Sequence, residues 1–328
     1  MRTLYVSEQG CYLRLRQEYL GVWRQQACLT EIQLPHLEQV LIFGQSQLST
    51  QAIRACLWRD IPIIFLSRMG FCYGRIMALE RGYRHLSRYQ QALSTVDKLT
   101  VARAIAGAKL QNSRVLLQRQ QRKRPLEPVA FAIESLGYLR QQISVADSVE
   151  RIMGLEGAAA ASYFNGLSYC LRNDQFPFMG RSRRPPLNPV NALLSFGYQV
   201  LWNHLFSLIE IRGLDPYQGC LHQGSERHGA LVSDLIEEFR APIVDSLVLY
   251  LVNKNIIKPD HFIYRDGGCF LNQGGRKVYL SAFVQQMETT ISIEDRQEPR
   301  WHLLTRQVRA FQNFVYRPVL GYAPYEIR

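Results

Sequence analysis

The sequence predicts an α+β protein in which an N-terminal β-sandwich-like domain precedes a larger all-α C-terminal domain. Three observations predict it. Up to about residue 80, short apolar runs alternate with polar residues at the period of two that a half-buried strand requires. From about residue 88 the period lengthens to that of helices with long apolar stripes. The 328 residues, 47% of them hydrophobic, are enough for about two domains. The expected division is 1–85 for the β-rich domain and 88–328 for the helical one.

In chain order, TLYV (3–6), CYLRLR (11–16), YLGVW (19–23), CLTEIQL (28–34) and EQVLIFG (38–44) read as strands broken by Gly, Gln and Glu. STQAIRACLWRD (49–60) interrupts them as a helix, with hydroxyl caps at Ser49 and Thr50 and apolar Ile53 and Leu57 four apart. IPIIFLS (61–67) follows as a buried strand and GFCYGRI (70–76) as another. Helical patterns cover 90–120, 127–143, 145–172, 189–211, 230–254 and 280–316. Between them, RNDQFPFMGRSRRPPLNP and RGLDPYQGCLHQGSERHG carry the prolines, glycines and arginines of surface loops near a functional face. The glycines of DGGCFLNQGG fit a hairpin turn better than a phosphate cradle. The tail RPVLGYAPYEIR has too little periodicity for an assignment, and the role of the basic run QRQQRKRP stays open.

Composition narrows the partners. The 39 Lys and Arg against 27 Asp and Glu give a net charge of +12, which favours a polyanion. Arginine dominates, and its planar fork suits phosphates. Seven scattered cysteines without a C-x-x-C pair argue against a disulfide framework and a zinc ribbon. No apolar run is long enough to span a membrane, and the expected location is the cytoplasm.

Glu156 stands in GLEGAAAASYF, where its neighbours one helical turn away are Ile152, Met153, Ala159 and Ala160. With no basic residue at pairing distance along the helix, this carboxylate is expected to face inward, where it must be paired, protonated or metal-bound. A second acidic group, Asp234, Glu237 and Glu238, lies one turn apart beside the stripe Leu231, Leu235, Phe239 and Leu247. A solvated acidic face is the plainer reading of it alone. Pro242 removes the hydrogen bond that the Glu238 carbonyl would receive and so bends the helix just after the acids. His222 precedes this helix in a Gly-rich loop, with His228 as a competitor. Glu156, His222 and one carboxylate of the second group together make an oxygen and nitrogen donor set that suits Mg²⁺ or Mn²⁺. In a basic protein, such an ion points to phosphodiester chemistry.

Three arginine-rich groups are candidates for phosphate contact: Arg75, Arg81, Arg84 and Arg88 with interleaved tyrosines; Arg119, Arg122, Lys123 and Arg124; and Arg181, Arg183 and Arg184.

Four ordered blocks give the chain a resemblance over nearly its full length. They are LPHLEQVLIFGQSQLSTQAIRACLWRDIPIIFLSRMG, GLEGAAAASYF, FPFMGRSRRPPLNPVNALLSFGYQVL and GLDPYQGCLHQGSERHGALVSDLIEEFRAPIVD. In these it resembles the CRISPR-associated integrase and endonuclease that inserts new spacers, the first of the two universal adaptation proteins. The resemblance implies that Glu156, His222 and Glu237 are the catalytic metal ligands, that Asp234 is an additional acid, and that Tyr163 and Asn191 have support roles. It also implies attack of a DNA 3′-hydroxyl on a repeat-end phosphodiester, nuclease action on branched DNA, and a role in antiviral adaptation. A homodimer is implied, with the N-terminal domain serving dimerisation and DNA contact, and two such dimers flanking a dimer of the small ferredoxin-like second adaptation protein as a hetero-hexamer. The reading from another class is a catalytically idle, basic DNA-binding scaffold whose acids hold helices together; an RNA-directed nuclease is a minor third.

Overall fold

The alternation of the N-terminal sequence becomes two four-stranded sheets. The computed structural model describes residues 2–67, 72–78, 85–224, 228–293 and 296–327. Strands β2 (Cys11–Arg16), β3 (Tyr19–Arg24) and β4 (Ala27–Gln33) form an antiparallel meander, and the short β6 (Ser46–Leu48) joins β2 in parallel. The second sheet has the order β1 (Arg2–Val6), β5 (Leu37–Phe43), β7 (Ile63–Leu66) and β8 (Cys72–Ile76). Its first three strands are parallel and β8 is antiparallel to β7. Leu13, Leu20 and Val22 of one sheet share a core with Leu4, Val6, Val40 and Ile42 of the other, sealed by Ala52 and Cys56 of α1 (Thr50–Trp58). Two sheets around one core make the sandwich. Ser49 caps α1 as its sequence predicts, its Oγ accepting the Ala52 N–H at 3.1 Å.

The helical part comprises α2 (His85–Gln91), α3 (Thr95–Lys123), α4 (Glu127–Ser144), α5 (Val149–Cys170), α6 (Pro189–Ile211) and α7 (Ala230–Ile236), then α8 (Ser246–Asn253). The 29-residue α3 opens with a reciprocal capping box between Ser94 and Asp97. At Gly166 of α5 an added Cβ would lie 2.7 Å from Ala132 Cβ and 3.2 Å from Leu117 Cδ1. The absence of a side chain there lets α5 lie tightly against α3 and α4. Of the 23 residues of α6, 17 are buried, which makes it the central helix of this unit.

Three expectations need correction. The pattern over 280–316 is two helices, α9 (Gln273–Glu288) and α10 (Trp301–Tyr316), separated by the hairpin β11 (Thr290–Ile293) and β12 (Arg296–Pro299). The β-branched run at Thr289, Thr290, Ile291 and Ile293 favours strand, and Pro299 cannot continue a helix. The region after 88 is also not purely helical, since β9 (Phe262–Arg265) and β10 (Gly268–Leu271) form a second hairpin. Asp266 and Gly267 at φ 50° and 70° make its two-residue turn, which is the turn read in DGGCFLNQGG. Finally, the chain divides into one unit of Met1–Tyr83 with Leu271–His302 and another of Arg84–Phe270 with Leu303–Arg328. A contiguous split at residue 85 therefore misassigns α9 and its hairpin. All seven cysteines are free, and no helix among the described residues is long and apolar enough to cross a membrane.

Candidate active site

The expected helix over 230–254 is broken where its chemistry lies. After α7, residues 237–239 turn, Arg240–Asp245 form a wide π-type turn around Pro242, and α8 resumes at Ser246. Proline supplies no N–H to the Glu238 carbonyl. That carbonyl instead accepts Asn112 Nδ2 of α3 at 2.7 Å. The three acids are not a solvated face, because Asp234, Glu237 and Glu238 are all buried. Each is held in a different way.

Glu237 meets cations on both oxygens. Arg240 Nη2 lies 3.0 Å from Oε1, and Lys109 Nζ of α3 lies 2.7 Å from Oε2. The same Nζ donates to Glu156 Oε1 of α5. Glu156 is thus paired, from a helix 47 residues away in sequence, and not by any neighbour on α5. Its side chain is 13% exposed and that of Glu237 is 2% exposed, with Lys109 at 14% between them. Oε2 is buried and meets Lys109 as an ion pair. Burial alone would raise the Glu237 pKa, but the charges of Arg240, Lys109 and His222 draw it down to about 2.

Asp234 binds a loop. Its Oδ2 accepts the N–H groups of Cys220 at 2.5 Å and Leu221 at 3.0 Å, and Oδ1 accepts the His222 N–H at 2.8 Å. His222 Nδ1 stands 2.8 Å from the same Oδ1. A carboxylate can only accept here, so Nδ1 carries a proton, and whenever the ring is neutral its lone pair lies on Nε2. Burial pulls the His222 pKa down, but the Asp234 hydrogen bond and the charges of Glu237, Asp234 and Glu156 outweigh it and leave it raised. His228, the competitor, meets Ser233 Oγ at 3.0 Å instead.

Glu238 points to the opposite side and holds the C-terminal tail. It accepts the Tyr322 O–H and, at 2.6 Å, the Tyr325 N–H, while Asn112 bonds the Tyr325 carbonyl and the Ile327 N–H. Burial pushes its pKa to about 8 despite those bonds. Next to Arg240, the buried Asp245 accepts the hydroxyls of Tyr163 at 2.6 Å and Tyr198 at 2.5 Å.

Two carboxylates that converge on one ammonium, with an imidazole held through Nδ1, form a donor set that fits a hard divalent cation. Among the described residues, no three His, Cys, Asp or Glu side chains are already gathered around one point, since Lys109 stands between Glu156 and Glu237. A family model described as CRISPR associated protein Cas1 matches residues 4–285. The chain belongs to the Cas1 family.

It is 35% identical over 338 residues to a CRISPR-associated exonuclease Cas4/endonuclease Cas1 fusion of Geobacter sulfurreducens, a match that covers 96% of this chain and 60% of that protein. The chain thus spans less than two thirds of that relative. It is 33% identical over 290 residues to CRISPR-associated endonuclease Cas1 1 of Thermus thermophilus, with 88% of each covered. A Cas1 protein from Thermotoga maritima has the same fold, with a TM-score of 0.82 at 24% identity over all of both chains.

In this Cas1-family chain the remaining sequence candidates separate into several kinds. Tyr163 serves Asp245. Asn191 is buried and fastens the arginine loop, its Oδ1 accepting Arg181 Nη1 at 2.8 Å and the Ser182 N–H at 3.0 Å. Arg181 also bonds Ser195 Oγ at 3.0 Å, so it anchors the loop and its fork is already engaged, contrary to the expectation that it meets phosphate. Arg183 and Arg184 are exposed. Arg75 is half-buried on β8, and Arg81 and Arg84 lie outside the described residues. Sequence reasoning missed Lys109, Arg240, Tyr198 and Asp245. Signals for two of them exist: a lysine in the apolar stretch AIAGAKL, and an arginine three residues after Glu237.

Proposed function

We propose that this unit is a divalent-metal-dependent DNA endonuclease and integrase, in which Glu156, Glu237 and His222 hold Mg²⁺ or Mn²⁺ and a DNA 3′-hydroxyl attacks a phosphodiester at the end of a CRISPR repeat. The observation that carries it is the convergence of Glu156 and Glu237, from α5 and the turn after α7, on a single cation position beside a histidine whose tautomer Asp234 fixes. The ion would neutralise non-bridging phosphate oxygens and favour ionisation of the attacking hydroxyl. The protein's own residues do the rest. Asp234 aims the imidazole, Arg240 holds the second oxygen of Glu237, and exposed Arg183 and Arg184 grip phosphates without reading sequence. Transesterification forms one P–O bond as another breaks, so the same groups would serve joining, its reversal on branched DNA and, with water, cleavage. A homodimer that works with the small ferredoxin-like adaptation protein on double-stranded and branched DNA is part of the proposal, as is a role in antiviral adaptation.

A scaffold reading has one observation in its favour: Lys109 and Arg240 already pair the two carboxylates, as a purely structural ion cluster would. A strand-transfer assay on branched DNA and on a repeat-containing plasmid, with and without Mn²⁺, separates the two. Metal-dependent joining in the wild type, lost in Glu156→Gln, His222→Ala and Glu237→Ala while DNA affinity persists, is the expected result. DNA binding without metal-dependent chemistry, even with the small partner added, would establish the scaffold.

A further inference from the structure

We propose that Lys109 is the resident counter-ion of this site and that a divalent cation binds Glu156 and Glu237 by displacing its ammonium; the inference rests on the metal-site reading above. Lys109 projects from α3 among the buried Ile105, Ala106, Ala108 and Leu110. Its Nζ reaches carboxylates from two other elements, Glu156 of α5 and Glu237 beyond α7. Two acids at such a point repel each other, and in a buried setting they need a cation between them whenever no metal is bound.

Charge balance then dictates what must move. Glu156 and Glu237 are offset by Lys109 and Arg240, with the buried acids Asp245 beside Arg240 and Asp234 beside His222. A divalent ion added with both bases in place would set three cations against the same two carboxylates, where their mutual repulsion opposes it. Arg240 is fixed: one nitrogen holds Glu237 Oε1 at 3.0 Å and its guanidinium lies 4.6 Å from the Tyr198 ring centroid. Lys109 is held differently, as a point charge on a flexible four-carbon stem. It donates to Glu156 and forms an ion pair with Glu237 Oε2 at 2.7 Å, the two contacts that the ion would replace. The ammonium holds the carboxylates in register and yields to the ion, which makes it a positioning residue.

The test uses the full chain and MnCl₂ alone, without DNA, and compares wild type with Lys109→Met, Lys109→Arg and Glu237→Gln by titration calorimetry and by melting in EDTA and in Mn²⁺. Lys109→Met should melt lower than wild type in EDTA, gain more from Mn²⁺, and bind it about tenfold more tightly, a difference of about 1.4 kcal/mol. Lys109→Arg, whose fork can grip both carboxylates, should bind Mn²⁺ no more tightly than wild type. Should Lys109→Met fail to fold, Lys109→Gln gives the same comparison. Equal or weaker Mn²⁺ binding by the uncharged variant, with binding abolished by Glu237→Gln, overturns the counter-ion role and leaves the metal site standing. No Mn²⁺ binding by wild type or by the uncharged variant overturns both.

Discussion

Asp245→Asn should flatten part of the pH dependence of stability. The Asp245 carboxylate is buried beneath two tyrosine hydroxyls, and burial pushes its pKa from the ordinary 3.8 to about 6, against the opposing pull of Tyr163, Tyr198, Arg240 and Arg181. An acid whose pKa is higher in the folded state binds protons more readily there than in the unfolded chain. Below 3.8 both states hold the proton, and the group contributes no slope. Between 3.8 and about 6 only the folded state holds it, so stability falls as pH rises; above about 6 the full penalty stands. At about 1.4 kcal/mol per pH unit, the penalty is about 3 kcal/mol. Asparagine keeps one acceptor for a tyrosine hydroxyl and removes the charge. Urea unfolding of both proteins, followed by far-ultraviolet circular dichroism between about pH 4 and pH 8, measures the effect. The stability of wild type relative to the variant should fall by about 2.4 kcal/mol across that range, the rest of the change lying below about pH 4. A difference that stays flat within about 0.5 kcal/mol would refute the reasoning, because Asp245 would then titrate alike in both states.

Asp234→Asn replaces an acceptor on one side of the carboxyl group by an NH₂ that faces N–H donors of residues 220–222. Leaving such donors unpaired should cost about 2–4 kcal/mol in urea unfolding, and misaligning His222 should lower strand transfer about 10–100-fold; unchanged rates would remove Asp234 from the site. Gly219→Ala places a Cβ 2.7 Å from Ala230 Cβ, 2.8 Å from the His222 carbonyl and 2.9 Å from Asp234 Oδ2. A loss of about 1–3 kcal/mol is expected, and a melting temperature equal to wild type would contradict it. Tyr322→Phe removes the hydroxyl that donates to Glu238 and accepts Gln307 Nε2 at 2.7 Å. It should destabilise by about 1–3 kcal/mol and speed hydrogen exchange at the Tyr325 and Ile327 amides, whose acceptors are Glu238 and Asn112; unaltered exchange would show that the tail is held by packing alone.

Local signals carried much of the architecture. Alternation placed the N-terminal strands, and hydroxyl capping placed the start of α1, because both depend on residues adjacent in the chain. Over 280–316 the apolar spacing suited one helix. The β-branched run that makes β11 was legible there, but helical periodicity masked it. The break after Glu237 was foreshadowed by Pro242, yet the group that satisfies the freed Glu238 carbonyl, Asn112, lies 126 residues away.

The same division holds for the site. From the sequence alone came the Cas1-family resemblance, the four motif blocks, the basic charge, and the carboxylates and histidine that sit in those blocks. Only the tertiary structure decided what each acid does. Glu237 pairs with Lys109 and Arg240, Asp234 ties down the loop of His222, and Glu238 binds the tail. These roles differ among residues within five positions of one another because each side chain leaves the backbone in a different direction and meets a different element. Their partners come from α3, the 219–222 loop and the C-terminal tail. Spacing along one helix cannot reveal partners brought by packing from distant parts of the chain, and in this protein those partners set the charge balance of the site.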